Sequence, residues 1–191
     1  MDTMEILLSI CIGIGLSAAC GFRIFIPPLI LSIASLSGHI QISHGFEWIG
    51  TYPALIAFAL ATVLEITAYY VPWLDNLLDS IAAPAAIIAG IVMSASVIGG
   101  ISPFLKWTLA VMAGGGAAGI IQAFTTITRA TSSATTGGLA NFLVSTVEAI
   151  GSIFFSIISI LWPILAIMIL FVFISFIIMK IASRKKPQRI V

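Results

Sequence analysis

Residues 138–155, GLANFLVSTVEAIGSIFF, are apolar enough to cross a membrane, yet they carry Asn141, Ser145 and Glu148. About eighty residues earlier, residues 54–70, ALIAFALATVLEITAYY, present a similar apolar frame around Glu65. A membrane-spanning helix needs about 20 mostly apolar residues, so both stretches predict spans that contain a carboxylate. A carboxylate inside a bilayer is costly, so these two side chains need a partner, a proton or water.

The amino-acid composition indicates that most of the chain is surrounded by lipid and not by water. Hydrophobic residues make up 60% of the sequence, charged residues make up 8%, and the mean hydropathy is +1.21. These values are typical of an integral membrane protein, whose partner is the lipid bilayer. The length of 191 residues allows roughly six spans and no extramembrane domain of useful size, so residues 1–191 are predicted to form one all-α transmembrane domain. A net charge of +1 gives no indication of nucleic-acid binding.

The positive charges are concentrated at the carboxyl end of the chain. Five of the eight Lys and Arg residues lie in the last twelve positions. By the positive-inside rule, residues 183–191 are predicted to form a basic cytoplasmic tail. Six spans would place both termini on the same side of the membrane.

The first apolar stretch, residues 6–37, is longer than one span and is interrupted by Gly21, Arg23 and the pair Pro27 and Pro28. Consecutive prolines remove backbone donors and clash with the preceding turn, so a broken or re-entrant helix is predicted. The other predicted spans cover residues 52–71, 81–99, 105–128, 139–158 and 161–181. Small residues at Gly13, Ser17, Gly21, Gly115 and Gly119 predict close helix packing.

The two carboxylate-bearing spans suggest an internal repeat. Setting Glu65 against Glu148 aligns IAFALATVLE with LANFLVSTVE, and Arg23 or Arg129 precedes the glutamate in each half. The predicted half-repeats cover about residues 4–100 and 101–182, with three spans each. An odd number of spans per repeat gives the two copies opposite topology, an arrangement often found in transporters.

The intramembrane charges admit two interpretations. Glu65 and Glu148 could form structural ion pairs with the arginines, or they could line a polar cavity and exchange protons or cations. In the second interpretation Arg23 and Arg129 offer planar positive charge to an anionic group. The predicted substrate-binding residues are Arg23, Arg129, Ser132, Ser133, Asn141 and Ser145. The predicted ion- or proton-coupling residues are Glu65, Glu148, Asp75 and Asp79, although the two aspartates could also simply face the dipole of a helix start.

Sequence motifs of enzymes are missing from the chain. There is no H-E-x-x-H, no G-x-S-x-G and no Walker loop, and the triple glycine at residues 114–116 lacks the lysine of a phosphate loop. The chain is therefore predicted not to be an enzyme and to need no cofactor or metal.

Three stretches resemble an uncharacterised family of small bacterial integral membrane proteins. They are LSAACGFRIFIPPL at residues 16–29, GFEWIGTYPALIAFALATVLEITAYYVPWLDNLLD at residues 45–79, and TSSATTGGLANFLVSTVEAI at residues 131–150. The family pattern falls on Gly21, Arg23, Phe25, Pro27, Glu65, Pro72, Asp75, Asn141, Ser145 and Glu148. The resemblance implies a multi-pass protein of the bacterial plasma membrane and supports this set of residues, but it implies no activity.

Two departures from the family pattern matter for function. Relatives place a second acid after the late glutamate, where this chain has Ala149, and a basic residue before the late arginine, where it has residues 122–124, QAF. A looser architectural likeness connects the chain to membrane proteins that move polyprenyl-phosphate carriers. The leading hypothesis is a secondary transporter or flippase for an anionic small molecule or lipid, with a homodimer predicted because so small a bundle shields a polar cavity poorly. The alternatives are an ion channel and a non-transporting assembly subunit.

Overall fold

The computed structural model describes residues 2–184, except the side chains of residues 72, 73, 75, 76, 79 and 181–184. The described part is all-α. Its helices are α1 (Thr3–Cys20), α2 (Ile26–Leu36), α3 (Tyr52–Ala68), α4 (Pro72–Val97), α5 (Pro103–Leu109), α6 (Gly116–Thr136), α7 (Asn141–Leu161) and α8 (Pro163–Arg184). A 3₁₀ turn, Glu47–Gly50, precedes α3, and a π-helical segment, Ala110–Gly115, joins α5 to α6.

Five of the described helical segments are long and apolar enough to cross a membrane, which confirms the predicted class. They are Thr3–Cys20, Ser80–Val97, Pro103–Thr136, Asn141–Leu161 and Pro163–Lys180. The remaining predicted span corresponds to α3, which has 17 residues, and α2 is shorter still, with 11 residues. The chain is therefore a multi-pass membrane protein, while the three-plus-three repeat stays a prediction.

The first apolar stretch is broken at residues 21–25, immediately before the two prolines. Pro27 and Pro28 lie in the first turn of α2, where a helix has no intrahelical partner for its N–H groups and proline costs little. The break therefore falls where the sequence predicts it. The prolines lie at the start of the second helix. Within the break, the N–H groups of residues 21–23 still donate to carbonyls of α1, whereas those of Ile24 and Phe25 find their partner in another part of the chain.

Helix α1 lies at the centre of the bundle and packs closely along its small-residue stripe. Ser17 Oγ donates a 2.5 Å hydrogen bond to the carbonyl of Gly90 in α4. A Cβ added at Gly13 would lie 3.0 Å from Ser94 Oγ, and one added at Gly21 would lie 2.5 Å from the carbonyl oxygen of Ala118 in α6. The small residues of α1 are thus required by the approach of two neighbouring helices, as predicted.

The order of these contacts gives the directions of the helices. Along α1 the partners in α4 run from Ser94 back to Gly90, so the two helices are antiparallel. Helix α2 returns toward the start of α1, because Phe25 shares a groove with Ala82 of α4 whereas the Ser43 N–H, after α2, donates to the Ser96 carbonyl.

The break lies inside the bundle rather than at its end. From Ala82, which faces the break, α4 continues ten residues back to its start at Pro72, or about 15 Å. From Ile121, which packs on Gly21, α6 continues to Thr136, about 22 Å further. The turn between α1 and α2 is therefore surrounded by longer helices.

Helices α1 and α8 run parallel. Gly15 approaches Ala166, and seven residues later the rings of Phe22 and Phe173 lie 6.4 Å apart. The beginning of α1 and the end of α8 consequently lie at opposite ends of the bundle. The prediction that both termini share one side is wrong, because residues 6–37 form two antiparallel helices and add one reversal of the chain. The predicted tail lies mostly in residues 185–191, outside the described residues.

Candidate functional site

Arg23 occupies the break between α1 and α2 and is buried, with 1% of its surface exposed. Its Nη2 donates to the Ser145 carbonyl at 2.9 Å and also to Ser145 Oγ, and it lies 3.3 Å from Glu148 Oε2. A side chain from the first broken helix is therefore held by two residues of α7. The sequence separation of more than 120 residues makes this contact part of the tertiary fold.

Arg129 of α6 binds the same carboxylate. Its Nε donates to Glu148 Oε1 at 3.0 Å, and its Nη2 forms a short contact with Glu148 Oε2. Two parallel N–H groups on the two oxygens of one carboxylate make the bidentate arrangement that suits a guanidinium. Glu148 is therefore shared between two arginines that come from different helices.

Tyr69 completes this group of residues. The guanidinium carbons of Arg23 and Arg129 lie 3.9 Å and 4.0 Å from the centre of its ring, within the range of cation–π attraction. Tyr69 is not among the site residues predicted from the sequence. The available signal was its spacing of four residues from Glu65, which places both side chains on one face of a helix. We call Arg23, Tyr69, Arg129, Ser145 and Glu148 the arginine cluster.

Glu65 lies beside the cluster but binds backbone. Its Oε1 accepts from the Ile24 N–H at 2.8 Å, and its Oε2 accepts from the Phe25 N–H at 3.1 Å. These N–H groups lie at the start of α2, and Phe25, at the N-cap position, supplies no side-chain acceptor. A carboxylate from α3 therefore caps α2 at its partially positive end.

The arginine cluster lies deep in the bundle. Glu148 is seven residues from the start of α7 and thirteen from its end, or about 10 Å and about 20 Å along the helix axis. Arg129 and Glu148 are 3% and 4% exposed. Two guanidiniums and a carboxylate at such a position are expensive unless they are paired, and those in membrane proteins are commonly functional.

Arg23 keeps unused hydrogen-bonding capacity. Its Nε and Nη1 are buried and have no hydrogen-bond partner among the described residues. Buried polar groups are nearly always satisfied, and the exceptions call for a ligand, water or strain as an explanation. Nη2 alone makes all the Arg23 hydrogen bonds described above, so the remainder of the guanidinium is available to another acceptor.

A groove of about 460 Å³ opens between α3 and α4 on the outer surface of the bundle. Its floor includes Ile24, Phe25, Glu65 and Tyr69, and its other lining residues are alanine, leucine and isoleucine side chains of α3 and α4. Leu64 and Ile81 are more than half exposed at its rim. The groove therefore connects an apolar outer surface with the Glu65 carboxylate and the Tyr69 ring.

The other predicted site residues lie apart from these contacts. Asn141 Nδ2 donates to Ser133 Oγ at 3.0 Å near the connection between α6 and α7, and Ser132 Oγ is buried without a described partner. The side chains of Asp75 and Asp79 lie outside the described residues. Of the ten predicted residues, the structure therefore brings together Arg23, Arg129, Ser145 and Glu148, with Glu65 adjacent to them.

Comparisons with known proteins place the chain in a family without assigning an activity. No curated protein and no solved structure matches it. One family model, described as a domain of unknown function (DUF4126), matches residues 10–183, which is most of the chain and includes every residue of the arginine cluster. The chain therefore belongs to the DUF4126 family.

Proposed function

We propose that this protein is a secondary transporter or flippase that moves an anionic substrate, either small or lipid-linked, through the arginine cluster. The observation that carries the proposal is Arg23, a buried guanidinium in a helix break, two of whose nitrogens have no hydrogen-bond partner among the residues that the structure describes. A guanidinium that serves only to pair with Glu148 has no need of a position where three of its five N–H donors lack a described hydrogen-bond partner. An anion bound between Arg23 and Arg129 would use those donors.

Glu148 is the proposed coupling residue. As a carboxylate it occupies both arginines, and a substrate anion must compete with it for the same N–H groups. Protonation of Glu148 would remove that competition, so substrate and proton would bind together. A ligand shifts an equilibrium only through its different affinity for two states, and this competition supplies the difference.

Membrane topology is part of the proposal. Helices α1 and α2 would form a re-entrant hairpin whose tip carries Arg23, and the basic end of the chain would lie in the cytoplasm of a bacterial cell. The cluster would then lie nearer the cytoplasmic face, since α6 and α7 meet at the same end of the bundle as the end of α8. The inverted repeat and the homodimer remain predictions, and the proposal depends on neither because one chain alone buries the cluster.

Reconstitution into proteoliposomes tests the proposal. We expect Arg23→Ala and Glu148→Gln to abolish uptake of phosphorylated lipids or small anions, while Arg23→Lys keeps a charge but loses the planar fork and retains little activity. Lys106→Ala is the matched control, because Lys106 lies at the opposite end of the bundle, where it donates to Ser43. Unchanged transport in both Arg23→Ala and Glu148→Gln would overturn the proposal.

A non-transporting assembly subunit is the second candidate, and the bidentate Arg129–Glu148 pair favours it because such a pair could be purely structural. Single cysteines at positions 23 and 129, in a Cys11→Ser and Cys20→Ser background, separate the two. Labelling by a small membrane-impermeant thiol reagent supports a water-accessible site. Protection of both positions from both faces of the membrane favours the structural role, whereas single-channel currents in planar bilayers would indicate an ion channel.

A further inference from the structure

We propose that the groove between α3 and α4 binds the hydrocarbon chain of a lipid with a phosphate headgroup, and that this headgroup takes the place of the Glu65 carboxylate at the start of α2. The inference rests on the proposed function and names its substrate class and entry route. The substrate would enter sideways from the bilayer, without passing through water.

The apolar part of the site is the groove itself. Apart from Glu65 and Tyr69, its described lining consists of apolar side chains and the break residues Ile24 and Phe25. Its volume of about 460 Å³ falls in the range of ligand-binding cavities. Ile81 lies on a candidate membrane span and Leu64 lies on the shorter apolar helix α3, and both are exposed at the rim. In a bilayer the groove would therefore be filled by hydrocarbon.

The polar part of the site already holds an anionic group. Two consecutive N–H groups at the start of an 11-residue helix bind the two oxygens of Glu65, which is how such a helix start would bind a carboxylate or phosphate ligand. Glu65 reaches this position from α3 across the floor of the groove. If Glu65 were protonated or rotated away, the same N–H groups would face the groove and an incoming headgroup.

The donor count favours phosphate over carboxylate. Glu65 accepts from the N–H groups of Ile24 and Phe25, but in the described part of the chain Arg23 Nε and Nη1 have no hydrogen-bond partner. Arg23 directly precedes Ile24 in the chain, and its guanidinium carbon lies 3.9 Å from the ring of Tyr69, which lines the same groove as Glu65. A phosphate monoester has three terminal oxygens, enough to accept from both backbone N–H groups and from Arg23.

Photo-crosslinking tests the site directly. The full chain is reconstituted in phosphatidylcholine vesicles that contain a long-chain alkyl phosphate bearing a diazirine on the chain, and labelled peptides are mapped by mass spectrometry. We expect labels on α3 and α4 around the groove, competition by unlabelled alkyl phosphate, and at least tenfold less labelling with the corresponding alcohol, since hydrogen bonds to a charged group are lost.

Matched variants separate groove filling from misfolding. Ala85→Trp fills the groove, whereas Ile88→Trp lies one turn further along the same helix, at an exposed residue that does not line the groove. We expect Ala85→Trp to lower labelling at least tenfold and Ile88→Trp to leave it unchanged. Glu65→Gln removes the competing charge and is expected to raise the affinity for the alkyl phosphate.

Four other outcomes would overturn the inference, and a fifth would overturn only the proposed function. Equal labelling by the alcohol would mean a nonspecific apolar surface, and competition by inorganic phosphate would mean a site for free phosphate. A Glu65→Gln variant with lower stability and unchanged labelling would make Glu65 only a helix cap. If transport of a soluble anion persists in Ala85→Trp, the groove is not the entry route but the proposed function survives. If the chain binds the alkyl phosphate in the groove but transports no anion at all, the proposed function fails and the groove site stands.

Discussion

Glu148 holds two buried guanidiniums, so its charge should be the most important single charge in the fold. Glutamine has nearly the same shape, but the Glu148→Gln variant loses the negative charge and presents an NH₂ group where Arg23 or Arg129 also donates. Two arginines would then share one buried site beside Tyr69 without a counter-charge from α7. The variant should therefore lower the free energy of unfolding more than a typical substitution does.

The magnitude follows from the burial of the pair. Removing one partner of a buried ion pair costs about 3–5 kcal/mol, because the remaining charge is left uncompensated. Glu148 pairs with two arginines, so we expect a value near the upper end of this range. Adding Arg129→Gln to the Glu148→Gln variant removes one of the two arginine charges that Glu148→Gln leaves uncompensated. The double variant should therefore be more stable than Glu148→Gln alone, with a coupling energy of about 2 kcal/mol or more between the two positions.

Denaturant titration in mixed detergent micelles, followed by circular dichroism, measures these free energies. Glu47→Gln is the control, since Glu47 is an exposed glutamate in the loop before α3, and it should leave the midpoint unchanged. A Glu148→Gln variant within about 1 kcal/mol of the wild type, the value typical of exposed pairs, would refute the reasoning. It would mean that water reaches the cluster.

Three further pairs of substitutions test other parts of the fold. Glu65→Ala removes the cap of α2 and should cost about 2 kcal/mol, measured in the same titration, with Glu65→Gln expected to fall between it and the wild type. Gly21→Ala should cost about 1–3 kcal/mol because the new methyl group would meet the Ala118 carbonyl, whereas Gly116→Ala, with open space around it, should gain up to about 1 kcal/mol. Tyr69→Leu should cost about 1–2 kcal/mol more than Tyr69→Phe, since only leucine removes the ring that both guanidiniums contact; equal losses would argue against the cation–π contribution.

Much of the site could be predicted from the sequence because charged residues are scarce in the sequence. In a chain this apolar, Arg23, Arg129, Glu65 and Glu148 had to find partners, and the proline pair located the break that admits Arg23 to the interior. Ser145 was predicted from its place beside Glu148 on the same span. These expectations depend on the cost of charge in hydrocarbon, which does not require knowledge of the fold.

The different roles of the two glutamates could not be predicted in this way. Glu65 and Glu148 occupy similar sequence frames, yet Glu148 binds two side chains and Glu65 binds two backbone N–H groups. Those N–H groups become free only because the helix breaks, and which carboxylate reaches them depends on how α3 packs on α2. Tyr69 was missed for a related reason, because an aromatic residue at the end of a span usually marks the membrane interface.

The charges of the site also lead to a prediction about coupling. Arg23 and Arg129 balance Glu65 and Glu148, so the described ionisable groups around the cluster sum to zero when all four are charged. A monovalent anion that entered alone would leave a net negative charge deep in the bundle, and an uncompensated charge there is costly. Entry together with one proton on Glu148 or Glu65 keeps the sum at zero. Uptake of a monovalent anion into proteoliposomes should therefore be electroneutral. We expect an inward proton gradient to drive it, the external medium to become more alkaline as it proceeds, and a potassium diffusion potential to leave its rate unchanged. Uptake driven by the membrane potential, with no proton movement, would show that the carboxylates stay charged during transport and that Glu148 is structural.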